Sequence, residues 1–260
     1  MASDASRTSD GLPVGDDVAT RSVLAVSDSL LIRTGDTASE LLAAHTVLPD
    51  GTLAIAVDAM SPVGGLLVAA RGRAGAVTLE VTSVVPVPVR CRVRARLTIT
   101  GTVRALDPAT LDGCDAGTIA SLLDLPPVAL WAVEPATVHL ARHETAADVA
   151  IAAYRAASPD PLAALEAGYL HHLVGADGPG VDHLTLPAGW LRHRTGRLIP
   201  VAIDADGLTV RAENRQEHHD VRLPFASRVT AEAELSRELA LLTSSTPATT
   251  TTDRYRPDAI

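Results

Sequence analysis

The sequence predicts an α+β protein in two parts. A β-rich N-terminal half (residues 21–157) closes into a small barrel, and a helix–three-strand–helix unit (158–243) follows, between polar tails at 1–20 and 244–260. Three observations carry this expectation. Short aliphatic runs separated by turn residues fill the first half, as in small barrels. Ser158-Pro159-Asp160-Pro161 interrupts the chain with two prolines, each of which drives the residue before it out of the α region. Beyond that break come one helical stretch, three strand-like runs and a second helical stretch, the order of a small α+β unit.

Taken in chain order, the first twenty residues are rich in Ser, Asp and Gly and predict a disordered tail. Strands are predicted at 29–34, 43–48, 52–58 and 76–85, with turns at Thr34-Gly35-Asp36 and Pro49-Asp50-Gly51. Residues 90–97 alternate arginine with small or apolar residues, the period of a half-buried strand, and put Arg90, Arg92, Arg94 and Arg96 on one face. That strand continues through 98–106 with a bend expected at Gly101, and Pro86 and Pro88 belong before it or at an edge. Asp107 and Pro108 are placed as N-cap and first residue of a helix reaching Asp124. A further strand spans 128–140 with an interruption at Glu134-Pro135, and 148–157 fits neither period cleanly. In the second part, Leu162, Leu165, Leu170 and Leu173 form the apolar stripe of a helix over 162–173. Strands follow at 197–204, 207–212 and 218–223, then a closing helix at 230–242. Residues from 244 are a Thr-rich, low-complexity tail.

Composition excludes several function classes. The net charge is −9, and the aromatic residues are two Trp, three Tyr and one Phe. Such a chain repels a phosphate backbone and offers little for base stacking, so no nucleic-acid partner is expected. All 22 cationic residues are arginine. Without lysine there is neither a P-loop nor a Schiff-base amine, and an anionic ligand falls to arginine forks and backbone N–H groups. Cys91 and Cys114 stand alone, which argues against a thiolate zinc site or a disulfide framework. No run approaches the roughly 18 apolar residues of a membrane span, so no membrane association and a cytoplasmic location are expected.

The segment from Asp160 to Phe225 carries a family resemblance. Asp160-Pro161-Leu162, Glu166-Ala167, Leu170-His171-His172-Leu173, Pro200-Val201-Ala202, Gly207-Leu208 and His219-Asp220-Val221-Arg222-Leu223-Pro224-Phe225 together resemble the C-terminal domain of HugZ-type haem-utilisation proteins. In that family the domain follows a flavin-reductase-like split β-barrel related to pyridoxamine-phosphate oxidase. Leu130-Trp131-Ala132-Val133-Glu134-Pro135 is similar to that barrel's closing strand. The resemblance implies an N-terminal split β-barrel (FMN-binding-like), a homodimer, and haem or FMN as a small-molecule cofactor at a dimer-interface cleft. Some relatives oxidatively open haem, some bind flavin, and some are non-catalytic binding partners. An enzyme of this kind would be a haem oxygenase-like or flavin-dependent oxidoreductase. The chain departs from the family pattern at two places. Of a His-x-x-x-Asp-His-like cluster it keeps His172 and a displaced acid, Asp177, and the tail beyond Phe225, where haem-degrading members carry an axial histidine, has none.

On that basis His45 and His172 are candidate ligands for haem iron. His45 lies in an apolar barrel run, where it is either a hydrogen-bonded core residue or one bordering the cofactor cleft. His171 and His172 close a helix, where the C-terminal dipole favours positive charge without any ligand. His218 and His219 are neighbours on a strand and point to opposite faces, so they do not chelate one ion together. His219 is nonetheless carried as a cofactor-binding candidate, while Asp220 and Arg222 share the face of His218 and suit an ion pair. Arg92 and Arg94, from the arginine stripe, are either anion ligands or a solvated face paired with acids such as Glu80. Arg71 and Arg73 flank Gly72 in a loop whose backbone N–H groups could approach a phosphate or propionate. Asp182-His183 with His193 is a further loop cluster of unassigned geometry.

Overall fold

A computed structural model of the chain describes residues 14–42, 44–123, 128–142, 145–175, 181, 184, 186 and 196–244. The C-terminal tail, the Asp182-His183-His193 cluster and Asp177 lie outside these residues.

The polar N-terminal stretch stops short of its expected end. Helix α1 spans Asp16–Val26, and Thr20, Arg21, Val23 and Leu24 are buried. Asp16 and Asp17 in its first turn suit the positive end of the helix dipole. The chain then builds β1 (Ser29–Thr34), β2 (Thr37–Leu42), β3 (His45–Val47) and β4 (Leu53–Asp58). Helix α2 (Pro62–Ala70) follows, then β5 (Val77–Val84) and β6 (Val93–Ala105). β2 and α2 carry no clear sequence period: β2 is mostly exposed, and α2 is apolar nearly all round. The arginine alternation begins before β6 does, because residues 85–92 form an irregular connection rather than strand.

The predicted 107–124 helix is two pieces. A 3-10 turn at Pro108–Gly113 is capped by the Asp107 carboxylate, which accepts the Ala109 N–H at 3.1 Å, and α3 (Ala116–Leu123) follows. β7 (Val128–Arg142), β8 (Ala146–Asp148) and α4 (Ile151–Ala156) complete the first half. The eight strands form one antiparallel sheet in the order β2-β1-β5-β6-β7-β4-β3, with β8 beside β7. The register of β6 on β7 shifts between Thr100 and Gly101, opposite Pro135. The bend at Gly101 and the interruption at Glu134-Pro135 are therefore one feature. A Cβ at Gly101 would lie 2.5 Å from the Glu134 carbonyl oxygen, so the shift needs glycine there.

Leu53–Asp58 reads as a continuous apolar run because β4 is covered on both sides. Leu53, Ile55 and Val57 join the main core, and Ala54 and Ala56 join a smaller cluster with Leu106, Leu111 and Leu122 from the 3-10 turn and α3. The main core fills the concave side of the sheet and is closed by Val23 and Leu24 of α1 and by Tyr154 of α4.

The second half contains α5 (Glu166–Val174), β9 (Arg197–Asp204), β10 (Gly207–Glu213), β11 (His218–Pro224) and α6 (Glu232–Ser244). The strands form an antiparallel sheet in the order β11-β10-β9, with α5 against β9. α5 starts later than its apolar stripe predicts: Leu162 is buried in a turn before the helix.

The two halves share a core. Val85, Val87 and Val89 leave the barrel between β5 and β6 and are buried with Leu170, Ile199, Val210 and Phe225 of the second unit. Each buried valine contributes roughly 1.5–3 kcal/mol of transfer free energy. The alternation Val85-Pro86-Val87-Pro88-Val89 thus serves an extended peg that enters the neighbouring unit.

Candidate functional site

The Asp160-Pro161-Leu162 signature is a structural clamp. Asp160 is 6% exposed. Its carboxylate accepts the Leu162 N–H at 2.9 Å and the Ala205 N–H at 3.1 Å, the latter from the turn between β9 and β10. Its own N–H donates to the Ser22 hydroxyl of α1 at 2.8 Å. One residue therefore ties α1, the approach to α5 and the β9–β10 hairpin together. Burial pushes its pKa up, and the two backbone donors pull it part of the way back.

The arginine stripe is taken apart by the same joint. The Arg90 N–H donates to Glu213, and its guanidinium donates to the backbone carbonyls of Asn214 and Arg215. Arg92 turns back to the Val85 carbonyl at 3.2 Å. Arg94 forms a bidentate pair with Glu166 at 2.5 and 2.8 Å, and Glu166 also accepts the Ile203 N–H at 3.0 Å. Glu80, a candidate partner for the stripe, instead pairs with Arg33 at 2.6 Å. Three of the four arginines thus bind within and across the seam between the units.

Two cavities lie where α1 meets that seam, of ≈ 170 and ≈ 440 Å³. The larger falls within the roughly 300–1,000 Å³ typical of small-molecule sites. Both are lined by Val23 and Val26 of α1 and by Ala163, and both meet the Arg94–Glu166 pair, which stands between them. The smaller also takes Leu140, Arg142 and Ile203. Arg142 is held by Asp16 at 2.8 Å and by the Val14 carbonyl at 3.2 Å, so α1 covers this cation as well.

His45 sits on β3 beneath α1. It is in register with Ile55 of β4, which is in register with Trp131 of β7, so all three side chains face the core side that α1 closes. Burial lowers the His45 pKa below the ordinary imidazole value, against smaller upward pulls from the Leu24 backbone and the Asp28 charge. The Leu24 approach falls short of hydrogen-bond geometry, and both ring nitrogens are buried without a partner. His45 lines neither seam cavity.

One helical turn before Leu24, Arg21 is 6% exposed, and its Nε and Nη1 have no hydrogen-bond partner. Its guanidinium carbon lies 5.3 Å from the centroid of the Tyr154 ring. Tyr154 is fully buried and donates to the Gly51 carbonyl at 2.9 Å; burial pushes its pKa up to about 12 although the Arg21 charge opposes this. Gly51 has φ 84°, and a Cβ there would lie 3.0 Å from the same ring, so the β3–β4 turn needs glycine on both counts. Sequence reading missed Arg21 because a lone arginine in a stretch taken as tail carries no pattern.

The remaining candidates are scattered. His172 is exposed on α5 and borders a shallow groove with Tyr169 and Glu232, away from the α1 seat. His219 lies on β11 opposite Ala212, 3.5 Å from Glu217. Asp220 pairs across the sheet with Arg211 at 2.7 Å, and Arg222 pairs with Asp204, so the expected Asp220–Arg222 contact is replaced by two others. Arg71 and Arg73 are exposed at the end of α2, but the loop offers no anion cradle: the N–H groups of Arg71, Gly72 and Arg73 donate to Val68, Val103 and Ala70 carbonyls. Among the described residues, no group of three His, Cys, Asp or Glu could hold a metal ion, and no helix is long and apolar enough to cross a membrane.

No family model matches the chain, and no curated protein sequence does. Solved structures do match. The "heme binding protein" of Mycobacterium smegmatis superposes with a TM-score of 0.57 at 18% identity, over 89% of this chain and 97% of that one. A protein of unknown function from Agrobacterium tumefaciens covers 90% and 98% at 20% identity, with a TM-score of 0.41. A pyridoxamine 5'-phosphate oxidase-related, FMN binding protein from Nostoc punctiforme covers 80% and 92% at 9% identity, with a TM-score of 0.29. The fold is a split β-barrel carrying a further α+β unit.

Proposed function

We propose that this split-barrel protein binds haem or a flavin, as a HugZ-like protein, in the cleft between its barrel and its C-terminal unit. The observation that carries the reading is His45. It is an imidazole whose nitrogens are both buried without a hydrogen-bond partner, under the helix whose Val23 and Val26 line the cavities between the two units, in a chain whose fold follows a heme binding protein over 89% of its length. A lowered pKa keeps the imidazole unprotonated at neutral pH, the form that ligates iron. In this reading His45 is the iron ligand, ahead of the exposed His172, and Arg142 holds an acid group of the ligand once Asp16 releases it. Arg71 and Arg73 line neither seam cavity, so Arg142 is the guanidinium this reading assigns to the acid group. The apolar walls, Leu140, Ala163 and Ile203, exclude water and orient a flat ring system. Bound haem would supply oxygen chemistry of its own, with the protein providing orientation. FMN is the alternative ligand, its phosphate falling to Arg142. The protein acts as a homodimer in which a second copy covers the exposed Leu42, Met60 and Val68 of the barrel unit.

A non-catalytic binding module is the second reading. It is favoured by Arg92 and Arg94 being occupied within the fold.

Titration of the purified protein with haemin, FMN and FAD, followed by visible absorption, tests both. A Soret band characteristic of histidine ligation, lost in His45→Ala and kept in His172→Ala, is expected. No spectral change with any of the three ligands up to high micromolar concentration would overturn the cofactor reading. A ligand that binds without turnover under reductant and oxygen selects the non-catalytic form.

A further inference from the structure

We infer that α1 is a displaceable strap, seated over His45 and the inter-unit cleft in the closed state and lifted when a ligand enters. The ligand class it admits is an apolar ring system bearing an acid group.

The inference starts from where the fold leaves polar groups unsatisfied. Among the described residues, five buried side-chain nitrogens lack a partner, and four of them lie at the α1 seat: Nε and Nη1 of Arg21 and both ring nitrogens of His45. The fifth, Trp131 Nε1, is on the same cross-strand row as His45. Buried donors and acceptors are nearly always paired in folded proteins, so such a concentration under one helix is informative. The contact of Arg21 with the Tyr154 ring offsets only part of the cost of burying a cation without an acid. Lifting α1 returns Arg21 to water and uncovers His45.

The attachments of α1 fit a removable element. Its polar anchors are the Asp16–Arg142 pair, the Val14 carbonyl on Arg142, and the Ser22 hydroxyl on the Asp160 N–H. Its apolar anchors are chiefly Val23 and Leu24. At its end Val26 is 39% exposed, and the chain turns extended at Ser27 into β1, which gives the helix a hinge beside a fixed strand. Because Val23 and Val26 line both seam cavities, the helix is their common wall. Its departure opens both to solvent and frees the Arg142 guanidinium beside the apolar surface of Leu140 and Ile203. An apolar ligand with a carboxylate or phosphate matches that surface.

The strap rests on fold geometry, and only its ligand arm rests on the function proposed above. Hydrogen exchange of the whole chain tests it without any ligand. Amides of α1 should exchange about 100-fold faster than those of β6 and β7, through a local opening. Arg21→Met, which removes a buried cation with no acid partner, should slow α1 exchange about threefold or more, as expected when an apolar isostere replaces a poorly compensated buried charge. Asp16→Ala should speed α1 exchange and leave β6 and β7 unchanged. In stopped-flow mixing with haemin, Arg21→Met should slow association and leave the final spectrum intact. Exchange of α1 in step with the sheet, or faster α1 exchange in Arg21→Met, overturns the strap. Haemin and FMN both failing to bind while α1 exchange follows the expected order removes the ligand reading and leaves the strap standing.

Discussion

The seam between the two units and the seat of α1 are neighbouring surfaces built to opposite standards. At the seam, buried polar groups are matched: Asp160 with two backbone N–H groups, Glu166 with Arg94 and Ile203, and Arg211 with Asp220 and the Cys91 carbonyl. Beneath α1, a guanidinium and an imidazole are buried with no partner for most of their nitrogens. A satisfied joint is rigid and costly to open. An unsatisfied one is cheap to open, because water restores what the closed state withholds. The signature that resembles a known family belongs to the first kind, and the candidate ligand residue to the second.

Mutation should break the seam most severely at Asp160. Asp160→Ala strands the Leu162 and Ala205 N–H groups and is expected to cost about 2–6 kcal/mol, at about 1–3 kcal/mol per orphaned group. Asp160→Asn keeps an acceptor for both and removes a carboxylate whose pKa is raised by burial, so its cost should stay under about 1 kcal/mol. Urea denaturation of the two variants separates acceptor from charge. A similar loss in both would show that the charge matters more than the geometry.

Val87→Ala tests whether the peg joins the units into one cooperative body. Removing two buried carbons should cost about 1.5–3 kcal/mol, transfer and cavity together. The loss should lower a single unfolding transition seen by both circular dichroism and Trp131 fluorescence. Two separated transitions would mean that the halves unfold independently. Arg94→Met should cost about 1–2 kcal/mol by stranding Glu166, whose side chain is 12% exposed. Glu166→Gln added to it should recover part of that loss, since the amide oxygen still accepts from Ile203.

The smallest effect belongs to the α1 seat and is set by pH. The folded-state pKa of His45 is lowered, so the unfolded chain binds the proton first as acid is added. Stability is full above the unfolded value near 6.5 and falls as pH drops from there toward the lowered folded value. The slope is at most about 1.4 kcal/mol per pH unit. Melting temperatures of wild type and His45→Leu at pH 7.5 and 5.5 measure it: the wild type should lose more over that interval, and equal losses would remove His45 as the cause.

Much of the fold was legible where periodicity reflects one-sided burial. β1 falls on its predicted residues, the Asp50-Gly51 turn carries a positive φ, and β9 to β11 follow the predicted order. Helix α1 was hidden because its apolar residues are few and its preceding chain is polar, while β4 was legible as a continuous apolar run although both its faces are buried. The arginines at 90–96 kept strand periodicity without forming one strand. Three of the four are placed by a partner more than a hundred residues away, by Glu166, or by a carbonyl seven residues back.

The sequence by itself determined the two-part α+β plan, the absence of lysine chemistry and the signature around Asp160, since these depend on local pattern and composition. Tertiary structure alone decided that the signature is a clamp, that the arginine stripe stitches the two units together, and that His45 and Arg21 are buried unsatisfied under one helix. Pairing and desolvation are properties of neighbours distant in the chain, and no local period records them.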